Sequence, residues 1–244
     1  MSTPINKNVN ARFVKSTQPA AIVADAETLE EGVQALLELA TASQRNLVTF
    51  MKAIAAEVKK SGTQATFYDP GIKSYESALR KAKKGYGVPN QIRLLTDPYR
   101  GSMILGTYEG IKQAETFIEG SAEKYGFEIV YDKNTFNHPW SNGYRDINYK
   151  FADKTNKGLV GELQLQLCAV KKFTEIAGHK AYEVARELSA GKNNVKAALE
   201  EVTRHGYNRV TAAPNASCMS NIEKLHGGRR RTRSQRKTRK GGRC

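Results

Sequence analysis

The most regular pattern of apolar and polar positions lies between Asn142 and Leu167 (NGYRDINYKFADKTNKGLVGELQLQL). Ile147, Tyr149 and Phe151 share one face by the two-residue period of a strand, and Tyr144, Asp146 and Asn148 share the other. After the polar turn Ala152–Gly158 the pattern repeats, with Leu163, Leu165 and Leu167 opposed to Glu162, Gln164 and Gln166. This spacing predicts a β-hairpin buried on its apolar side. Its polar side gathers an aromatic ring, acids and carboxamides, unlike the Lys, Thr and Glu mixture of an ordinary solvated face. A hairpin whose polar face meets only water fits the same alternation.

Elsewhere the period is helical. Thr28-x-x-Glu31 is a capping box opening a helix over 28–60, along which Leu29, Val33, Leu36, Leu37, Ala40, Leu47, Phe50, Met51, Ile54 and Val58 recur at core spacing, with a break placed near Ser43. A loop over Ser61–Gly71 precedes a second helix in KSYESALRKAKKG. Next come a strand (Arg100–Leu105), a helix from Tyr108 to about Lys124 and a strand (Phe127–Tyr131). Beyond the hairpin the pattern gives a helix from Ala169 to about Ala190 and a short one from Asn194 to about His205. Residues 1–24 show neither period and read as a flexible lead-in, residues 25–206 as one domain, and residues 207–244 as a disordered basic tail.

Composition adds limits. An apolar content of 39% in 244 residues supports a real core. No run approaches the roughly 18 apolar residues of a membrane helix, and no charged-then-apolar signal opens the chain, so a protein without membrane association is expected. Cys168, Cys218 and Cys244 have neither zinc-site spacing nor a disulfide framework, which points to a reducing, cytoplasmic setting. The net charge is +15, and the stretch 229–243 alone supplies nine cations without an acid, leaving +6 for the rest. Such a tail can contact nucleic acid, and it also leaves room for a nuclear or virion-associated location.

Three further features carry candidate chemistry. On a helix, Lys73, Ser77 and Lys81 lie at i, i+4 and i+8 with Arg80 and Lys84 beside them, a row that can hold a polyphosphate and equally a solvated basic face. Asp97, held out of helical geometry by Pro98 at the mouth of a strand, suits a metal or a turn. His179 shares a helical stripe with Glu175, Tyr182 and Arg186, within reach of the hairpin's polar face.

Taken in order, GIKSYESALRK, DPYRGSMIL, NGYRDINY, GELQLQL and HKAYEVAREL resemble the synthetase domain of the RelA/SpoT family over a motif core of residues 70–188. The resemblance implies an α/β (α+β) fold of nucleotidyltransferase type, a mixed sheet flanked by helices. It implies transfer of the β,γ-pyrophosphate of ATP to a ribose hydroxyl of a guanosine or adenosine nucleotide. Lys73, Ser77, Lys81 and Arg100 would hold ATP phosphates, and Asp97 and Glu162 would be catalytic and hold Mg²⁺, Glu162 alternatively acting as base. Asn142, Tyr144, Gln164 and His179 would bind the acceptor. The chain departs from the family pattern at Gly71, where an Arg is expected, at Trp140, near an expected Lys, and at Asn148 and Gln166, in place of His and Arg. These departures fall around the acceptor and open two alternatives, toxin-like transfer to the tRNA 3′ end and a non-catalytic nucleic-acid-binding protein with a decayed site.

Overall fold

A computed structural model of the chain describes residues 17–22, 26–85, 89–178, 180, 181, 183, 184 and 193–212. The helices α1 (Leu29–Lys60), α2 (Tyr75–Gly85), α3 (Tyr108–Ser121), α4 (Cys168–Phe173) and α5 (Asn193–Ala212) surround one sheet. Its strands are β1 (Ala65–Tyr68), β2 (Arg100–Leu105), β3 (Phe127–Asn134), β4 (Ile147–Asp153) and β5 (Leu159–Leu167), in the order β1-β2-β5-β4-β3. Only β2 and β5 pair in parallel; the other neighbours are antiparallel. The sheet is therefore mixed, as the sequence implied.

The hairpin forms with Asn148 opposite Gln164 and Lys150 opposite Glu162, and its apolar residues enter the core. That core is closed by α1, whose Phe50 meets Phe127 and Phe151 with ring centroids 5.7 and 5.9 Å apart. The Thr28–Glu31 capping box is present, and the helix runs unbroken through Ser43. Ser43 is buried and accepts a hydrogen bond from Asn156 Nδ2 at 2.9 Å, so its polarity is satisfied without ending the helix.

Other expectations shift. The expected loop over Ser61–Gly71 contains β1, too short to display a period, paired antiparallel with β2. α2 begins at Tyr75 rather than Lys73, because Gly71 takes a positive φ of 74° and the Ser74 hydroxyl accepts from Ser77 N at 3.3 Å, as an N-cap does. The long helix expected from Ala169 begins as α4, widens into a π turn over Thr174–Gly178 and is helical again at residues 180, 181, 183 and 184. There Gly178 lies so close under Tyr207 that a Cβ would stand 2.1 Å from the phenol oxygen. α5 continues past the expected end of the domain at residue 206 to Ala212, and Tyr207, assigned from sequence to the tail, is 2% exposed in the core. Part of the lead-in is likewise fixed. Gln18 is fully buried and bonds Leu95 O at 2.9 Å, Val160 O and Val160 N, stitching residues 17–22 to β5. Residues 1–16 and 213–244, including the basic stretch 229–243, lie outside the described residues, as does His179. Cys168 is buried and disulfide-bonded, which removes the cysteine pattern as an argument for a reducing setting. Among the described residues no helix is long and apolar enough to cross a membrane.

One contact ties the sheet's central crossing. The Tyr99 hydroxyl donates to Phe151 O at 2.6 Å and Leu159 O at 3.1 Å, with its ring lying on Gly161. A Cβ at Gly161 would sit 2.4 Å from ring carbons of Tyr99. Gly161→Ala is expected to cost about 1–3 kcal/mol by overpacking, seen as a lower thermal midpoint, whereas an unchanged melt would mean that the ring moves freely.

Candidate active site

The residues that alternation places on the sheet's polar side assemble by register into rows across the strands. Arg100 on β2, Glu162 on β5, Lys150 on β4 and Tyr131 on β3 form one row. Ser102, Gln164, Asn148 and Lys133 form the next.

At the β2 end of these rows stands Asp97. Lys73 Nζ bonds its Oδ2 at 2.8 Å and Lys81 Nζ its Oδ1 at 3.0 Å. The backbone explains the convergence, since Lys73 N donates to Pro98 O at 2.9 Å and so fixes the residue ahead of α2 to the turn that carries the acid. The expected single helical row of Lys73, Ser77 and Lys81 is thus replaced by a loop lysine and a helix lysine meeting on one carboxylate. Ser77 lies one turn before Lys81 on α2, half-buried. Burial pushes the Asp97 carboxyl up, but the charges and hydrogen bonds of Lys81 and Lys73 outweigh it and hold the group well below the usual carboxylate range. The Lys73 ammonium is pushed down by burial, against the pull of Asp97, with Arg100 and Lys81 adding repulsion. Arg100 is set by Gln44 of α1, whose side chain bonds both the Arg100 N–H and C=O at 2.9 Å. Its own Nε is buried and, among the described residues, has no partner, a donor left over at the edge of the cationic cluster.

Glu162 is reached from the opposite side. Lys150 Nζ makes a short ion pair with Glu162 Oε2 and also donates to Thr96 O at 3.3 Å, so one lysine links the β5 acid to the loop carrying Asp97. Sequence analysis passed over Lys150, although the alternation through Tyr144, Asp146 and Asn148 points to it as the next residue on the same face.

A cleft of about 750 Å³ lies between this polar face, the turn at Trp140–Tyr144 and the helix α5. Asn142, Tyr144 and Gln164 line it, together with Asn148 and Lys150. The Asn142 carboxamide shapes its own turn by accepting from Tyr144 N at 3.1 Å. Tyr144 is held at its tip, donating to Asp146 Oδ2 at 3.2 Å and accepting from Gln166 Nε2, while its ring meets Tyr207 edge-on at 5.6 Å. Asp146 is 3% exposed, and Thr135 Oγ1 bonds its main chain and its Oδ1. Burial, and next the charge of Glu162, push the Asp146 carboxyl up to about 6, against the hydrogen bonds from Thr135 and Tyr144. Leu199, Glu200, Thr203 and Tyr207 of α5 supply the far wall. No sequence signal places that helix over the hairpin; only the tertiary packing does.

Lys73, Lys81, Arg100 and Lys150 lie toward one end, and Asp146, Glu200 and Lys133 toward the other. Asp146, just before β4, and Lys150 within it are four residues or about 13 Å apart. Among the described residues no group of three metal-ligating side chains gathers. Mg²⁺, however, is commonly held by one or two carboxylates completed by substrate phosphates, and Asp97 and Glu162 fit that donor set. Asp97 in particular is held ionised, the form a metal needs. Its two lysines are the groups a polyphosphate would attract away from it.

No family model matches the sequence, and no curated protein matches it. Solved structures share its fold. Small alarmone synthetase 2 of Bacillus subtilis superposes with a TM-score of 0.56 over 78% of this chain and 96% of its own, at 15% identity. Small alarmone synthetase 1 of the same organism, solved with its product pppGpp, gives 0.51 over 70% and 90% at 14% identity. The Type VI effector Tas1, solved in complex with its immunity protein, gives 0.53 over 75% and 98% at 22% identity. The chain therefore has the fold of the small alarmone synthetases, in agreement with the RelA/SpoT-like motif order in its sequence.

Proposed function

We propose that this chain moves the β,γ-pyrophosphate of ATP to a ribose hydroxyl of a guanosine or adenosine nucleotide seated in the cleft. The observation that carries the reading is Lys150, which lines the cleft, pairs with Glu162 and bonds Thr96 O, next in the chain to the Asp97 held by Lys73 and Lys81. ATP phosphates entering the cluster take over the hydrogen bonds that Lys73 and Lys81 make to Asp97, and Arg100 adds a third cation at the transferred group. Mg²⁺, held by Asp97 and Glu162 with the phosphates, would supply further charge neutralisation. The acceptor base stacks on Tyr144, whose phenol is fixed by Asp146 and Gln166. With its ribose directed to the β5 row, the acceptor hydroxyl gives its proton to Glu162 as its oxygen bonds the β-phosphorus of ATP. The α,β-bridge bond breaks and AMP leaves with the electron pair. Lys150 stabilises the Glu162 carboxylate before the transfer and gives way as the hydroxyl arrives.

The test is incubation with γ-³²P-ATP and separate acceptors: GDP, GTP, ATP and bulk tRNA. Label in a free nucleotide is expected. Label confined to tRNA would establish toxin-like transfer to the tRNA 3′ end, and none in any acceptor would leave a nucleotide- or nucleic-acid-binding protein with a decayed site. Tyr144→Ala separates binding from chemistry. Base–aromatic stacking is worth about 1–3 kcal/mol, so the acceptor KM should rise about 5- to 150-fold while the ATP KM holds; an unchanged acceptor KM would remove Tyr144 from this role.

A further inference from the structure

The cleft is longer than one nucleoside needs. From Gln164 on β5 its floor crosses Asn148 on β4 to Lys133 on the edge strand β3, two strand spacings or about 10 Å away from the residues assigned to the acceptor. That outer end is lined by Tyr131, Lys133 and Trp140. Trp140 is the only tryptophan in the chain and is 52% exposed. It is nonetheless anchored, its N–H donating to Tyr144 O at 3.2 Å and its C=O accepting from Gly143 N at 2.7 Å, in a turn closed by Gly143 at φ 83°. The turn that presents Tyr144 to the inner cleft therefore presents Trp140 to the outer one. Lys133 Nζ lies 3.6 Å from the indole centroid. A large aromatic held open to water, with a cation at its face, is an unused stacking platform with a charge placed for a phosphate.

We propose that Tyr131, Lys133 and Trp140 form a second nucleobase subsite, which takes the unpaired base next to the terminal nucleotide of a single-stranded polynucleotide. The proposal rests on the functional reading above only in seating that terminal nucleotide at Tyr144. Stacking on indole is tolerant of base identity, and Lys133 engages the linking phosphate, so recognition is of a strand end rather than of a sequence. A free mononucleotide reaches only the inner platform.

Because Trp140 is the sole indole, its emission reports occupancy of this end without any turnover. The experiment titrates the full-length protein with a single-stranded RNA hexamer and with GDP, at high salt, where backbone binding by the basic stretch is suppressed. The hexamer should quench Trp140. Its affinity, followed by anisotropy of a labelled strand, should fall about 5- to 150-fold in Trp140→Ala, the range of one lost base–aromatic stack. Trp140→Phe should recover part of that loss, an abasic hexamer should bind both proteins alike, and GDP affinity measured by calorimetry should not change. Equal hexamer binding by Trp140→Ala and wild type would overturn the subsite, as would failure of the wild type to bind the hexamer. A parallel loss of GDP affinity would instead make Trp140 part of the acceptor-base site and overturn it too. Trp140-dependent binding in a protein that labels no acceptor would sink the transfer reading and leave the subsite standing.

Discussion

Asp97→Asn is expected to lower pyrophosphate transfer by about 10³-fold or more, the scale on which removal of preorganised charge acts on phosphoryl chemistry. Lys73 and Lys81 both contact Asp97, so its loss removes the charge proposed to direct the metal and the template that spaces the two lysines. On sequence grounds the change would spare the fold, since it conserves volume. The structure gives a different expectation. Lys73 is 8% exposed, and neutralising its partner leaves a buried ammonium without a counter-charge, a loss of about 3 kcal/mol. The sign of the pH dependence follows from the depressed Asp97 carboxyl. Its stabilisation is complete above the ordinary carboxylate value near 4 and is lost as pH falls below it, so the stability gap between wild type and variant should be full at neutrality and narrow in acid. Denaturant melts across pH, with transfer assayed well below the variant's midpoint, separate the two effects. Normal transfer by folded Asp97→Asn protein would remove Asp97 from the site. Adding Lys73→Met should restore stability without restoring transfer.

The hairpin and the helix α1 were legible because each displays many cycles of one period. The alternation from Tyr144 to Phe151 fixed which residues of β4 face the cleft, and β4 pairs with β5 as that alternation requires. β1, at four residues, has too few cycles to register. The π turn after α4 was hidden for a different reason. Nothing local widens the helix after Phe173; Tyr207, more than thirty residues later, lies against Gly178 and meets Thr174 Oγ1 at 3.0 Å. Likewise Gln18 reads as part of an irregular lead-in, and only its long-range partners on β5 and at Leu95 account for its burial.

For the site, residue types were readable and partnerships were not. Asp97 and Glu162 were expected to share a metal-binding role; Asp97 pairs with Lys73 and Lys81, and Glu162 with Lys150, which also bonds Thr96 O and belongs to no quoted motif. The departures from the family pattern acquire physical meaning once placed. Gln166, where a cation was expected, holds the Tyr144 hydroxyl, and Asn148 lies on the cleft floor with its Oδ1 buried and, among the described residues, unpartnered. The carboxamides of Asn142, Asn148 and Gln164 offer this cleft hydrogen bonds of the kind a base or ribose takes.

Glu162→Gln carries the second large expectation. If Glu162 accepts the acceptor's proton as proposed, it contributes on the scale of general-base catalysis, and its amide should transfer about 10²- to 10⁴-fold more slowly. The competing explanation is that Glu162 only balances Lys150, whose side chain is 14% exposed and would be left unpaired by the change. The two are separable by removing that lysine as well. If Glu162 is the base, Glu162→Gln with Lys150→Met regains thermal stability but stays inactive, because the hydroxyl still has no acceptor for its proton. If Glu162 is a counter-ion, the double variant regains transfer with its stability. Acceptor binding supplies the remaining control, since the Tyr144 stack and the carboxamides are untouched in Glu162→Gln. Its acceptor affinity should match wild type while kcat collapses, and a collapse of affinity with kcat preserved would assign Glu162 to binding instead of chemistry.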